Sequence, residues 1–136
     1  MKATLCGLLA MTCLLSLGLY AQNSATAQNK TEDISLADLK KALANNAVVL
    51  LDCNGSQTYA KGHLPGAIDF EASEGKLATL LPADKGALIV AYCGSPRCLA
   101  YRGGVNAARK LGYTNIKHFS GGLSGWKAAG EALAKD

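Results

Sequence analysis

From Ala87 to Leu111 the chain changes character twice. Ala87 to Tyr92 is a short uncharged run of β-formers, suited to a central strand buried on both faces. It stops at Cys93-Gly94-Ser95-Pro96-Arg97-Cys98, in which Gly, Ser and Pro are turn formers. From Leu99 the pattern is helical: Tyr101, Val105 and Ala108 fall at i, i+4 and i+7, Leu111 shares their broad face, and Gly112 stands at the C′ position. Gly103-Gly104 inside that helix costs about 1 kcal/mol per glycine, and close approach of the backbone to the sheet explains such a pair.

A strand, a tight turn and a helix in that order place Cys93 at the carboxyl end of a strand, facing a helix N-terminus. The N–H groups of Gly94, Ser95, Arg97, Cys98 and Leu99 are available to point inward; Pro96 has none. Unpaired N–H groups and the positive end of a helix dipole favour an anion, and at a cysteine they favour thiolate over thiol. Arg97 adds a fixed positive charge. The chemistry expected of these residues is a sulfur nucleophile within an anion cradle.

The other cysteines bear on the compartment. Lys2, the apolar stretch Leu5 to Leu19 and the small-x-small sequence Ala25-Thr26-Ala27 have the pattern of a removable signal over 1–27, which predicts a periplasmic or secreted protein with no membrane attachment after cleavage. The alternative is an uncleaved anchor, although the apolar run is short for a span of about 20 residues. Cys6 and Cys13 leave with the signal, so Cys53, Cys93 and Cys98 remain; with three, at least one thiol has no intramolecular partner. His63 and His118 lie far from any cysteine in sequence, and no paired Cys-x-x-Cys spacing occurs, so no metal site is expected. The net charge of +4 becomes +3 without Lys2, and the lysines are scattered, which argues against nucleic acid. A mild positive balance is compatible with small anionic substrates.

Residues 28–33 are polar and read as a flexible lead-in to a domain over 34–136. Ser35 caps a helix over Leu36 to Asn45. Val48 to Asp52 is a second buried strand, ending in a polar residue, followed by the turn Cys53 to Ser56, with Ser56 capping a short helix to Lys61. Ala67 to Phe70 is a strand, Gly75 to Leu81 a small helix, Ile116 to Phe119 the last strand, and Leu123 to Ala134 a helix broken at Gly130. Trp126 is read as core. Strands alternating with helices predict an α/β domain with a largely parallel sheet, whose ligands sit outside the carboxyl ends of the strands. Asp52, Cys53 and Cys93 all fall at such ends.

Three segments together resemble the rhodanese-like family: Leu51-Asp52 through Tyr59 with Gly62-His63-Leu64-Pro65-Gly66-Ala67; the strand-to-loop cysteine Cys93; and Gly121-Gly122-Leu123-Ser124-Gly125-Trp126, preceded by Leu111-Gly112-Tyr113. The resemblance implies a roughly five-stranded parallel sheet flanked by helices and a catalytic cysteine, Cys93, that carries sulfane sulfur as a persulfide. It makes Gly94 to Cys98 the rest of a six-residue substrate-binding loop, with Leu99 beyond it. It implies a small anionic sulfur donor such as thiosulfate, a thiol or cyanide acceptor, and no cofactor beyond the persulfide. A periplasmic protein partner is a further candidate. His63 falls in a scaffold motif of the family.

The chain departs from the family pattern at four places. Asn54 stands where many members have arginine, Thr58 where many have an acidic residue, Pro96 where glycine is common, and Cys98 where Ser or Thr is common. Leu99 occupies the position at which phosphatase chemistry needs arginine. Cys98 is a candidate resolving thiol, or it locks Cys93 in a disulfide. Two readings stand beside sulfur transfer: a thiol–disulfide protein in which Cys93 and Cys98 cycle between dithiol and disulfide, and a rhodanese-like binding module without turnover.

Overall fold

The computed structural model describes residues 30–135; the signal expected over 1–27 lies outside them. Five parallel strands form one sheet: β1 (Glu32–Asp33), β2 (Val49–Asp52), β3 (Ile68–Asp69), β4 (Ile89–Tyr92) and β5 (Ile116–Phe119), in the order β1-β5-β4-β2-β3. Six helices lie among the described residues: α1 (Leu36–Ala44), α2 (Ser56–Lys61), α3 (Phe70–Ser73), α4 (Leu77–Leu80), α5 (Tyr101–Lys110) and α6 (Gly122–Ala128), with a 3-10 turn over Glu74–Lys76. Among the described residues no helix is long and apolar enough to cross a membrane.

The strand order explains the apolar runs. β4 is central and all four of its residues are buried. Side chains alternate across the sheet. Leu50, Val90, Tyr92 and Phe119 join Leu39 of α1 and Trp126 of α6 in one core; Leu51, Ile89, Ala91 and Cys93 join Val105 and Ala108 of α5 in the other. The chain leaves β2 outward to β3 and returns to β4 on β2's other side. The carboxyl ends of β2 and β4 therefore flank the crevice in which such sheets place their ligands.

Several details differ from the sequence reading. Glu32 and Asp33, expected in a flexible lead-in, form a strand paired with Lys117 and His118. Two charged residues carry no apolar alternation, yet the edge position suits them: Lys117 bonds Glu32 at 2.9 Å, and Asp33 accepts from the N–H and hydroxyl of Ser120. The expected helix over Gly75 to Leu81 is split between the 3-10 turn and α4, and α3 precedes it. Gly55, not Ser56, is the N-cap of α2, and the Ser56 N–H is satisfied by Glu71 Oε2 at 2.6 Å. α6 stops at Ala128, and Ala134, expected to be helical, instead exchanges two backbone hydrogen bonds with His63. That contact places His63 as a scaffold residue; its Nδ1 lies 3.0 Å from the Tyr59 carbonyl and its ring stacks on Tyr59.

Candidate active site

Cys93 follows the last residue of β4 and points to the α5 side of the sheet, where it is 1% exposed. The loop after it folds back on itself. The Cys98 N–H donates to the Ser95 carbonyl at 3.0 Å, a turn that returns the second cysteine to the first. The N–H groups of Gly94 and Tyr101 point at the Cys93 sulfur, and those of Gly94 and Ala100 at the Cys98 sulfur. Cys98 packs against the buried cluster that holds Cys93, and the two thiols shift each other's acidity. The cradle expected from the sequence is thus present with different members. Cys98 spends its N–H inside the loop, while Ala100 and Tyr101, at the start of α5, supply donors that spacing alone does not identify. Pro96 and Arg97 form the exposed rim, and Leu99 is 56% exposed.

The loop is held from the opposite side by α6. Leu123 N–H donates to the Cys93 carbonyl at 2.8 Å and Ser124 N–H to the Gly94 carbonyl at 2.9 Å. This requires a glycine at 122: its φ is +60°, and a Cβ there would lie 2.4 Å from the Cys93 carbonyl oxygen.

Burial and mutual contact set the acidity of the three thiols. Cys93 is pushed up to about 11, first by burial and then by the hydrogen bond to Cys98, against the Tyr101 and Gly94 N–H groups. Cys98 moves the other way. Burial opposes its ionisation, but the Cys93 thiol and the Gly94 and Ala100 N–H groups outweigh that and hold it below the ordinary thiol value. The cradle therefore lowers the pKa of Cys98, whereas Cys93, the thiol for which the sequence suggested it, is raised by burial and by Cys98. Cys53 is deeper in the apolar core, close enough to feel charge on both other sulfurs, and is pushed up to about 12 by burial against one Gly104 N–H. Gly104 is the close-approach position expected from the helix glycines: a Cβ there would meet Cys53 Sγ at 2.8 Å.

Asp52, at the carboxyl end of β2, is satisfied by uncharged donors. β2 and β4 are in register at Asp52 and Tyr92, so their side chains share a face. Tyr92 donates to Asp52 Oδ2 at 2.6 Å and accepts from the Leu64 N–H at 3.0 Å. Asn54 donates to Asp52 Oδ1 through both its backbone N–H and its side-chain amide, each at 2.8 Å. A buried carboxylate with three donors needs no arginine. The sequence does not reveal Tyr92's role, because the register that pairs residues 52 and 92 exists only once the strand order is known.

His118 is a second residue the sequence reading left without a role. It is 8% exposed on β5, its ring stacks on Tyr101 with centroids 3.4 Å apart, and its Nε2 has no hydrogen-bond partner. Burial holds it below its ordinary value, partly offset by Asp33, whose Oδ1 lies 3.9 Å from Nδ1. Among the described residues no group of three or more His, Cys, Asp or Glu side chains is arranged to hold a metal ion.

Residues 35–129 match the family model described as Rhodanese-like domain. An HTH-type transcriptional regulator of Mycobacterium tuberculosis, Rv0324, is 33% identical over 99 residues, covering 71% of this chain; the chain spans 42% of that regulator's length. Among solved structures, a thiosulfate sulfurtransferase from Pseudomonas aeruginosa is 28% identical with a TM-score of 0.62, covering 78% of this chain and 20% of that one. The human single-domain sulfurtransferase TSTD1 shares the fold at 22% identity and a TM-score of 0.57, covering 73% of this chain and 97% of that one. The matched span contains every element from β2 through α6, and the chain belongs to the rhodanese-like domain family.

Proposed function

We propose that the protein is a sulfurtransferase that moves sulfane sulfur from thiosulfate or a similar anionic donor to cyanide or a thiol through a Cys93 persulfide. The observation that carries this reading is the position of Cys93, buried just past the carboxyl end of the central strand, under the Gly94 and Tyr101 N–H groups and next to Cys98. A thiosulfate sulfurtransferase among the structural relatives supports the choice of donor.

Cys93 gives up its proton, and its thiolate attacks the outer sulfur of thiosulfate. The bond between that sulfur and the sulfonate breaks and sulfite leaves with the bonding pair. Cys93 then carries a persulfide whose negative charge faces the loop N–H groups. Arg97 on the rim draws the dianionic donor toward the loop. An acceptor takes the outer sulfur and returns Cys93 to thiolate, so the kinetics are ping-pong. The leader pattern adds a periplasmic or secreted location to the proposal.

The test is intact mass of the reduced protein after thiosulfate. A gain of about 32 Da that cyanide removes and that Cys93→Ser abolishes is the expected result. No gain in the wild type, or the same gain in Cys93→Ser, overturns the assignment.

A further inference from the structure

The sulfurtransferase reading gives Cys98 no part in loading Cys93, yet its geometry equips it for a later step. Its side chain packs against the buried cluster that holds Cys93, whose sulfur becomes the inner sulfur of a persulfide. The Ser95–Cys98 turn holds it there, and the Gly94 and Ala100 N–H groups stabilise it as an anion. Cys53, the third thiol of the cluster, is packed against Gly104 and kept protonated by burial. Cys98 is also the more exposed member of the 93–98 pair.

Resting on the Cys93 persulfide reading, we infer that Cys98 is a built-in resolving thiol, which expels the sulfane sulfur as hydrosulfide and leaves a Cys93–Cys98 disulfide for an external dithiol to reduce. The Cys98 thiol passes its proton to the outer sulfur of the persulfide. The resulting Cys98 thiolate attacks Cys93 Sγ, the bond between inner and outer sulfur breaks, and hydrosulfide leaves with the bonding pair and the proton. Two thiol sulfurs are oxidised to the disulfide and one sulfane sulfur is reduced to sulfide, so the step needs no outside oxidant. A dithiol reductant then exchanges with the disulfide and becomes oxidised in turn. The acceptor class this assigns is a dithiol protein or small dithiol, in preference to cyanide.

The reaction is read directly in the reduced full-length protein, without oxygen, given one equivalent of thiosulfate and no acceptor. Sulfide release and intact mass are followed together. The wild type should release close to one equivalent of sulfide and finish about 2 Da lighter than it began. Trypsin cuts after Arg97, so residues 86–97 and 98–102 separate unless the disulfide joins them. Joined peptides are expected in the wild type and in Cys53→Ser. Cys98→Ser should instead hold the gain of about 32 Da and release sulfide at least about tenfold more slowly. A wild type that keeps the added sulfur and releases none overturns the resolving role while leaving Cys93 as the sulfur carrier. Equal release from Cys98→Ser also overturns it. No added sulfur in any of the variants overturns both readings.

Discussion

The hydroxyl of Tyr92 donates to Oδ2 of Asp52 at 2.6 Å, tying the two central strands together directly beneath the cysteine loop. The same oxygen accepts from the Leu64 N–H, so one phenol satisfies two buried groups. Tyr92→Phe leaves a buried carboxylate short of one donor and strands a backbone N–H. It should lower unfolding free energy by about 2–3 kcal/mol, measured by urea denaturation. A loss under about 0.5 kcal/mol would show that Asn54 alone suffices for Asp52.

Gly104 lets α5 approach β2 and β4 until Cys53 Sγ fills the space a methyl group would need. Ala normally favours a helix over Gly by about 1 kcal/mol, but Gly104→Ala should destabilise by about 1–3 kcal/mol through overpacking. The clash is with one atom, so Cys53→Ala should relieve it. The double variant should be more stable than the sum of the two single changes predicts, and a double-mutant cycle in denaturant checks this.

Gly122→Ala tests the clamp on the loop. The added Cβ collides with the Cys93 carbonyl, and the residue must hold φ +60°. The variant should lose sulfur loading by more than tenfold, roughly, because the loop is pushed from its position. Thermal unfolding run alongside should show a drop of several degrees or more, about 4–8 °C per kcal/mol in a domain of this size.

The order of thiol acidities predicts an order of alkylation. Cys98 is held low and Cys93 is raised to about 11, so iodoacetamide at neutral pH should label Cys98 before Cys93. Cys98→Ala removes two influences that raise Cys93, its hydrogen bond and its charge. The pH profile for labelling Cys93 should therefore move to lower pH in that variant. Mass mapping across a pH series reads both effects, and a profile unmoved by Cys98→Ala would show that burial alone sets Cys93.

His118 gives the acid side of stability its sign. Its folded value lies below 6.5, so the stability linked to it is complete above 6.5 and is lost as pH falls through the folded value. His118→Phe preserves an aromatic ring against Tyr101 and removes the unpartnered Nε2. Melting temperatures measured from neutral pH downward should fall less steeply in the variant than in the wild type.

Much of this domain is legible in the residues because its strongest signals are local. Val49 to Asp52 and Ile89 to Tyr92 are apolar runs ended by turn chemistry, Ser35 accepts the Asp38 N–H as a cap, and Gly112 takes φ +91° at the end of α5. β1 is not legible, because two acidic residues become a strand only when Lys117 and Ser120 are there to meet them. α3 is not legible either: Asp69 caps it through the Ala72 N–H, but only four residues follow. At the site, Cys93 and the loop are apparent from spacing. The order of thiol acidities is not, since the difference between Cys93 and Cys98 comes from burial depth and from their influence on each other.

The two hydrogen bonds from α6 to the Cys93 and Gly94 carbonyls also have a consequence in time. During synthesis all three thiols leave the ribosome before the residues that clamp the loop. Until Leu123 and Ser124 arrive, the sulfurs belong to a chain with no fixed cradle, open to whichever oxidant or thiol reaches them first. The last helix thus acts as the arming step of the domain, and a chain ended after β5 would retain every cysteine yet have no set geometry in which to use them.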